Sequence, residues 1–512
     1  MQTTTVWRPR GLPDLNFDIL LQIISLLTLR DVAHLTRTCH ALRRALAAEL
    51  PREGVSLEGR HLTSFLAFTD VKHGKDRLSY FQELELPGST HETMSSGDQA
   101  MSLKDVKRAL TTILHSASNL RSLTILDLNT FSFPPKELKT TLDSFLRLRE
   151  LEISGIQKKY EGILVDVLPR LHTLGLDFLE DCDPNVYLKA GQCNLCQVTL
   201  YGATLKGVSL SFPSVHTVRA CPMNLPSDID ALTHIFPNAK DVVLDFLCDS
   251  SRLDLEYRKN EREHYYGVVS PPWIDSDATR RWRDRFLARP KRKADAWQDI
   301  QSLRLVGVGT DKVRWLGLTC HVPRVEVSSW RAEYNRLAAM LKELRPRCLV
   351  FHPGTLHGPR SHRLYGWVLL FALQFSPSVT RLAIVLCQRG MDVASKHGLS
   401  TVSGYLRTSS VSFLLLRLQS NLPVSKELSD ELEDLRAVLS RRVHSLKVFL
   451  FQTNDDVHLG WMKKPEGWVK VTEDEGRKLV ASENICPASI EPCELCERYA
   501  PHFLASRLVR KF

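Results

Sequence analysis

Along the chain, short stretches in which apolar and polar residues alternate return repeatedly, each closing on two apolar residues separated by one other. They run from Phe81 to Leu86, Leu120 to Ile125, Leu148 to Ile153, Leu171 to Leu176 and Leu195 to Leu200. Later copies are Val215 to Ala220, Ala239 to Leu244, Ile300 to Leu305, Val322 to Val327, Val379 to Ile384 and Val443 to Val448. A period of two turns one set of side chains inward and the other outward, so each copy predicts a short strand. The anchor positions Leu123, Leu151, Leu174, Val198, Val218 and Val242 step by 28, 23, 24, 20 and 24 residues, and Leu303, Val325 and Leu349 continue at 22 and 24. Such steps suit strand-turn-helix repeats, whose apolar faces form one core only when stacked. Helical periods lie between strands at Leu103 to His115, Ser227 to Phe236 and Arg331 to Leu344, and Phe212-Pro213-Ser214 and Phe236-Pro237-Asn238 mark turns into the next strand. An ordinary doubly wound domain would also use apolar strands, but roughly a dozen in one pattern favour a repeat array.

The first fifty residues follow another period. Ile19, Leu20, Ile23, Ile24 and Leu27 recur at helical steps after Asn16, a capping residue, with Asp18 at the positive helix end. Thr28 to Arg30 break the period, and a second helix opens near Asp31 through Val32, Leu35, Cys39 and Leu42, with Arg43 and Arg44 near its end. Helices this short cannot bury so many apolar side chains alone, which calls for a partner surface; the plainer reading is two core helices of an ordinary domain.

On Leu15, Asp18, Ile19, Leu20, Ile23, Leu27, Asp31, Val32, Leu35, Cys39 and Arg43 the chain resembles the F-box family. Asn16 stands where that family usually has proline, although Leu12-Pro13 lies just upstream. The resemblance implies that Leu15, Ile19, Leu20, Ile23, Leu27, Val32, Leu35 and Cys39 bind a Skp-type adaptor, itself tethered to cullin and RING subunits. The later strands resemble the irregular leucine-rich repeats that follow the F-box in many fungal proteins, including an opening strand at Val55-Ser56-Leu57. The expected fold class is therefore α/β, an N-terminal F-box hairpin followed by a curved solenoid with parallel strands on the concave side and helices on the convex side. The expected division is 12–50 for the F-box, 51–452 for the repeats with a basic insertion at about 249–298, and 453–512 for a C-terminal tail or cap.

Composition agrees with a folded chain: 43% of the 512 residues are apolar and 25% charged. No apolar segment follows the N-terminal charges, and the longest apolar stretch, Leu364 to Phe375, is too short for a bilayer. Twelve cysteines, several inside apolar runs, suit a reducing compartment, cytoplasm or nucleus. The net charge of +10 is concentrated in Arg280 to Lys293, which holds eight Lys or Arg against Asp284. With Trp282 and Trp297 nearby, that run would address the nucleus, nucleic acid or an acidic target; as a solvated insertion it needs none of these, and nucleic acid is not the expected partner.

Candidate chemistry is sparse. Cys193-x-x-Cys196 has no second pair at finger spacing and reads as packed thiols, and the only weak metal candidate is Cys486, Cys493, Cys496 and His502, a zinc staple for the tail. Gly307-Val308-Gly309 lacks the third glycine of a dinucleotide loop, Lys312 standing in its place. No catalytic signature of the common kinds is present. The sequence thus leads to a non-enzymatic substrate receptor of a Skp-cullin-F-box ubiquitin ligase, without cofactor or membrane span, that binds an unknown protein target through the repeats. The alternative is a leucine-rich scaffold with no ligase association.

Overall fold

A computed structural model describes residues 29–38, 81–86, 116–126, 133–179, 194–203, 210–221, 227–245, 299–306, 320–329, 334–353, 373–387, 399–419, 426–453 and 456–483, with isolated residues and short pieces before and between them. The chain is α/β, its sheet mostly parallel. Contacts divide it into two compact units, one ending at Val215 and the other built from His216 onward together with Leu205–Gly207.

Unit 1 contains helix α1 (Leu29–Thr38) and strands β1 (Val55–Ser56), β2 (Glu83–Leu86), β3 (Ser122–Ile125), β4 (Glu150–Ile156), β5 (Thr173–Phe178) and β6 (Gln197–Tyr201), each parallel to the next. Unit 2 contains β7 (Thr217–Ala220), β8 (Asp241–Asp245), β9 (Ser302–Val306), β10 (Arg324–Ser329), β11 (Cys348–Pro353), β12 (Arg381–Cys387), β13 (Phe413–Gln419) and β14 (Val448–Thr453), again parallel in chain order. It ends in an antiparallel extension, β15 (Asp456–Lys464) and β16 (Gly467–Lys470). Helices in the connections are α2 (Pro135–Ser144), α3 (Ser227–Ile235), α4 (Tyr334–Leu344), α5 (Leu399–Leu406) and α6 (Lys426–Arg442), and α7 (Glu473–Ser482) follows β16.

The anchor residues align strand to strand. Leu84, Leu123, Leu151, Leu174 and Val198 are successive partners in unit 1, and Val218, Val242, Leu303, Val325, Leu349, Leu382, Leu414 and Phe449 in unit 2. All are buried, as are the apolar residues two positions on, from Leu86 and Ile125 to Leu416 and Phe451. One inner face therefore makes a continuous core within each unit.

A backbone device repeats with the strands. The carbonyl just before a strand accepts two N–H groups from the next copy: Arg121 O from Arg149 and Glu150, Arg149 O from His172 and Thr173, Lys240 O from Gln301 and Ser302, Thr380 O from Ser412 and Phe413. At β10 only Arg324 N donates, to Gln301 O, because Pro323 has no N–H to give. The repeated bond fixes register, and with it which side chains face inward.

One glycine is held by this geometry. Gly202, directly after β6, has φ of +63°, and a Cβ there would meet Phe178 O at 2.3 Å. Gly162, at +78°, has open space around it. Gly202→Ala is expected to lower unit 1 stability by about 2–3 kcal/mol, from the strained backbone together with the clash, and Gly162→Ala by only about 1–2 kcal/mol. Paired urea titrations check the order; equal losses would remove the role assigned to the carbonyl.

Candidate functional site

The N-terminal segment is helical at Ile19, at 22–24 and through α1, which opens two residues ahead of Asp31. Ile19 is 47% exposed, Ile23 and Leu35 are half-buried, and Ile24, Val32 and Leu42 are buried. Thus Ile19 offers apolar surface while Val32 is already covered by this chain. Leu15, Leu20, Leu27 and Cys39, the other expected adaptor contacts, lie outside the described residues.

Two outward faces complete the surface of interest. In unit 1, the positions alternating with the buried anchors carry Glu83, Glu85, Glu150, Glu152 and Asp177, with Ser122, Thr124, Thr173, Gln197, Thr199 and Tyr201. No Lys or Arg occupies these positions in β2–β6, although the whole chain is cationic. Gly175 sits among them, and a Cβ there would meet Glu152 Cγ at 2.9 Å, so the missing side chain gives that glutamate its room.

In unit 2, β9, β10 and β11 turn Arg304, Arg324, Glu326 and His352 toward one point. Glu326 is only 5% exposed. His352 Nε2 lies 2.9 Å from its Oε1, Arg304 Nε lies 3.0 Å from the same oxygen, and Arg324 Nη2 lies 3.6 Å from Oε2. Arg304 Nε makes a contact of charges there without the angle of a hydrogen bond. Burial pushes the carboxyl up, but the His352 hydrogen bond and the Arg304 and Arg324 charges outweigh it and hold the group below its usual value of 4.5. Asp245 and Arg219, on β8 and β7, pair at 3.5 Å. Near Arg324 and Glu326, burial pushes the Cys348 thiol up to about 11, so at neutral pH it is protonated and a poor nucleophile. The cluster is an electrostatic clasp across three strands, with a carboxylate kept ionised and already matched by cations.

This clasp escaped the sequence reading, which placed no role on Arg304, Glu326 or His352. The available signal was opposite charge at equivalent outward positions of successive copies, Arg304 in Ser302 to Val306 and Glu326 in Arg324 to Ser329.

Other sequence candidates separate. Cys196, half-buried just ahead of β6, is in no disulfide and has its Sγ 3.5 Å from Asn194 O, while Cys193 lies outside the described residues. So do Gly307, Gly309, Lys312, the run Arg280 to Lys293, and the weak zinc candidates Cys486, Cys493, Cys496 and His502. Trp297 does not extend the basic run as a stacking surface: it is 1% exposed, with Nε1 donating to Phe236 O at 2.8 Å. Among the described residues no group of three or more His, Cys, Asp or Glu is placed to hold a metal, and no helix is long and apolar enough to cross a membrane.

Compared with protein-family models and with curated proteins, the chain matches none.

Proposed function

We propose that this chain is a non-catalytic substrate receptor of a Skp-cullin-F-box ubiquitin ligase, its N-terminal helices docking the adaptor and its repeat sheet capturing a protein target. The observation that carries the reading is the apolar order from Leu15 to Leu42, one member of which, Ile19, stands exposed beside others that are buried. An exposed isoleucine flanked by the apolar Leu20 and Ile23 suits helix-mediated docking. In this reading ubiquitin transfer belongs to other subunits, and the chain acts by raising the local concentration of a target lysine. In this reading the parallel strands belong to leucine-rich repeats, and the acidic outward face of β2–β6 favours a cationic target segment by Coulomb attraction. Cytoplasm or nucleus is the compartment that fits.

A scaffold without ligase association is the second reading, favoured by the burial of Ile24, Val32 and Leu42 within the chain itself. Co-purification with a Skp-type adaptor separates the two. Because Ile19 is exposed, Ile19→Asp costs the fold little, yet in an interface it removes about 2–4 kcal/mol. The expected result is loss of adaptor binding by roughly 30-fold or more at an unchanged thermal midpoint. No binding by the unsubstituted chain, or equal binding by Ile19→Asp, would leave the scaffold reading standing.

A further inference from the structure

The outward face of β7–β11 in unit 2 sets arginines over buried carboxylates. Cross-strand register puts Arg219, Val243, Arg304 and Glu326 in one row from β7 to β10, with Ser302 and Arg324 in the row beside it. Asp245 and Glu326 are buried, whereas Arg219, Val243 and Arg304 are half-buried and reach solvent. Each carboxylate is thus covered more deeply than the guanidinium paired with it in this row.

Arg304 is the unusual member. Its side chain is 29% exposed, and its Nε, 3.0 Å from Glu326 Oε1, makes no hydrogen bond. That oxygen takes its hydrogen bond from His352 Nε2 at 2.9 Å. An arginine devoted to an internal carboxylate commonly gives it two parallel N–H bonds. Arg304 gives none: charge alone holds it over Glu326, and among the described residues its terminal nitrogens meet no acceptor. A partly covered guanidinium with unspent donors costs free energy unless water or a ligand takes them. Its planar fork matches the two oxygens of a carboxylate or a phosphoryl group.

We propose that Arg304 is the centre of an oxyanion site on the outward face of β7–β11, which takes one carboxylate or phosphoryl group from a side chain of a partner protein. Glu326 fixes the guanidinium by charge, and His352 occupies the hydrogen-bonding oxygen of Glu326, so Arg304 keeps its fork for the ligand. Val243 and Glu326 flank Arg304 in its row, which makes the site one side chain wide. Arg219, two strands away in the same row and tied to Asp245, adds positive charge beside it. Asp241, exposed on the same face, opposes a run of successive phosphates, so one isolated anion fits better than a nucleic acid. The site lies within unit 2 and holds whether or not the N-terminal helices dock an adaptor.

Phenylglyoxal, which modifies reachable guanidinium groups, tests the site on the full unsubstituted chain, with Arg304 and the exposed Arg407 followed by peptide mass spectrometry. At about 10 mM and constant ionic strength, capped phosphoserine or capped glutamate is expected to slow modification of Arg304 roughly tenfold, as a dissociation constant of about 1 mM implies. Modification of Arg407 is expected to stay unchanged, and capped glutamine to protect neither residue. Protection by phosphoserine alone identifies a phosphoryl ligand; protection by glutamate shows that a carboxylate suffices. In saturation-transfer NMR the protecting anion is expected to lose its signal with Arg304→Lys, which keeps the charge over Glu326 but not the fork, at an unchanged thermal midpoint. An Arg304 that does not react, protection by neither anion, equal slowing at Arg407, protection that only an oligothymidylate gives, or a signal unchanged in Arg304→Lys overturns the proposal.

Discussion

Glu326→Gln is expected to destabilise unit 2 by about 3–5 kcal/mol at neutral pH, the cost of breaking a buried ion cluster by removing one partner. The carboxylate is buried, and Arg304, Arg324 and His352 all approach it. A neutral amide of the same shape leaves the two guanidinium groups gathered around no charge, with little water to replace it. The loss is also pH-dependent in a stated sense. Because the folded carboxyl titrates below 4.5, its contribution is present above 4.5 and disappears as pH falls through the folded value. The glutamine chain lacks this dependence, so the two urea midpoints, far apart at neutral pH, should converge on acidification. Coincident midpoints at neutral pH would show that the cluster adds no stability. Cys348 adds the opposite slope at the alkaline end: its thiol is raised from 9.0 to about 11, so the stability present below 9.0 is lost as pH rises toward 11.

The clasp, and burial on both faces of some strands, also explain which parts of the fold were visible in the sequence. Strands β2 to β10 have one buried and one wetter face, and their alternation places the anchors in the register observed. Strand β13 reads Phe413-Leu414-Leu415-Leu416 and then Arg417-Leu418, with no alternation, because both of its faces are buried. That strand was missed for the reason that makes it central to unit 2. The terminal hairpin and α7 were grouped in a tail or cap, although Thr472-x-x-Glu475 is a capping signature and Pro465-Glu466-Gly467 a turn signature that the sequence displays openly. At the N-terminus the pattern located helical residues, and burial then divided them: Val32, expected at the adaptor, is covered by this chain, and Ile19 is not. Periodicity says that a side chain belongs to an apolar stripe; which polypeptide covers that stripe depends on contacts distant in sequence.

Trp297 is the other position from which a large loss is expected. Among the described residues it is the largest fully buried side chain, and it stands just ahead of β9. Its indole donates to Phe236 O, just after α3, so one side chain ties the start of β9 to the connection between β7 and β8 across 61 residues. Its backbone has φ of 60°, a conformation that a bulky residue adopts only when surrounding contacts hold it there. Trp297→Ala removes the ring and the donor together, and a loss of about 3–5 kcal/mol follows from the cavity. Trp297→Phe keeps most of the packing but not the donor, and is expected to cost about 1–3 kcal/mol. Were Trp297 instead part of a stacking surface for nucleic acid, both substitutions would leave the urea midpoint of unit 2 within about 0.5 kcal/mol of the parent. Equilibrium unfolding of the two variants therefore tells a core anchor from a surface ring, and the burial of Trp297 predicts the graded loss.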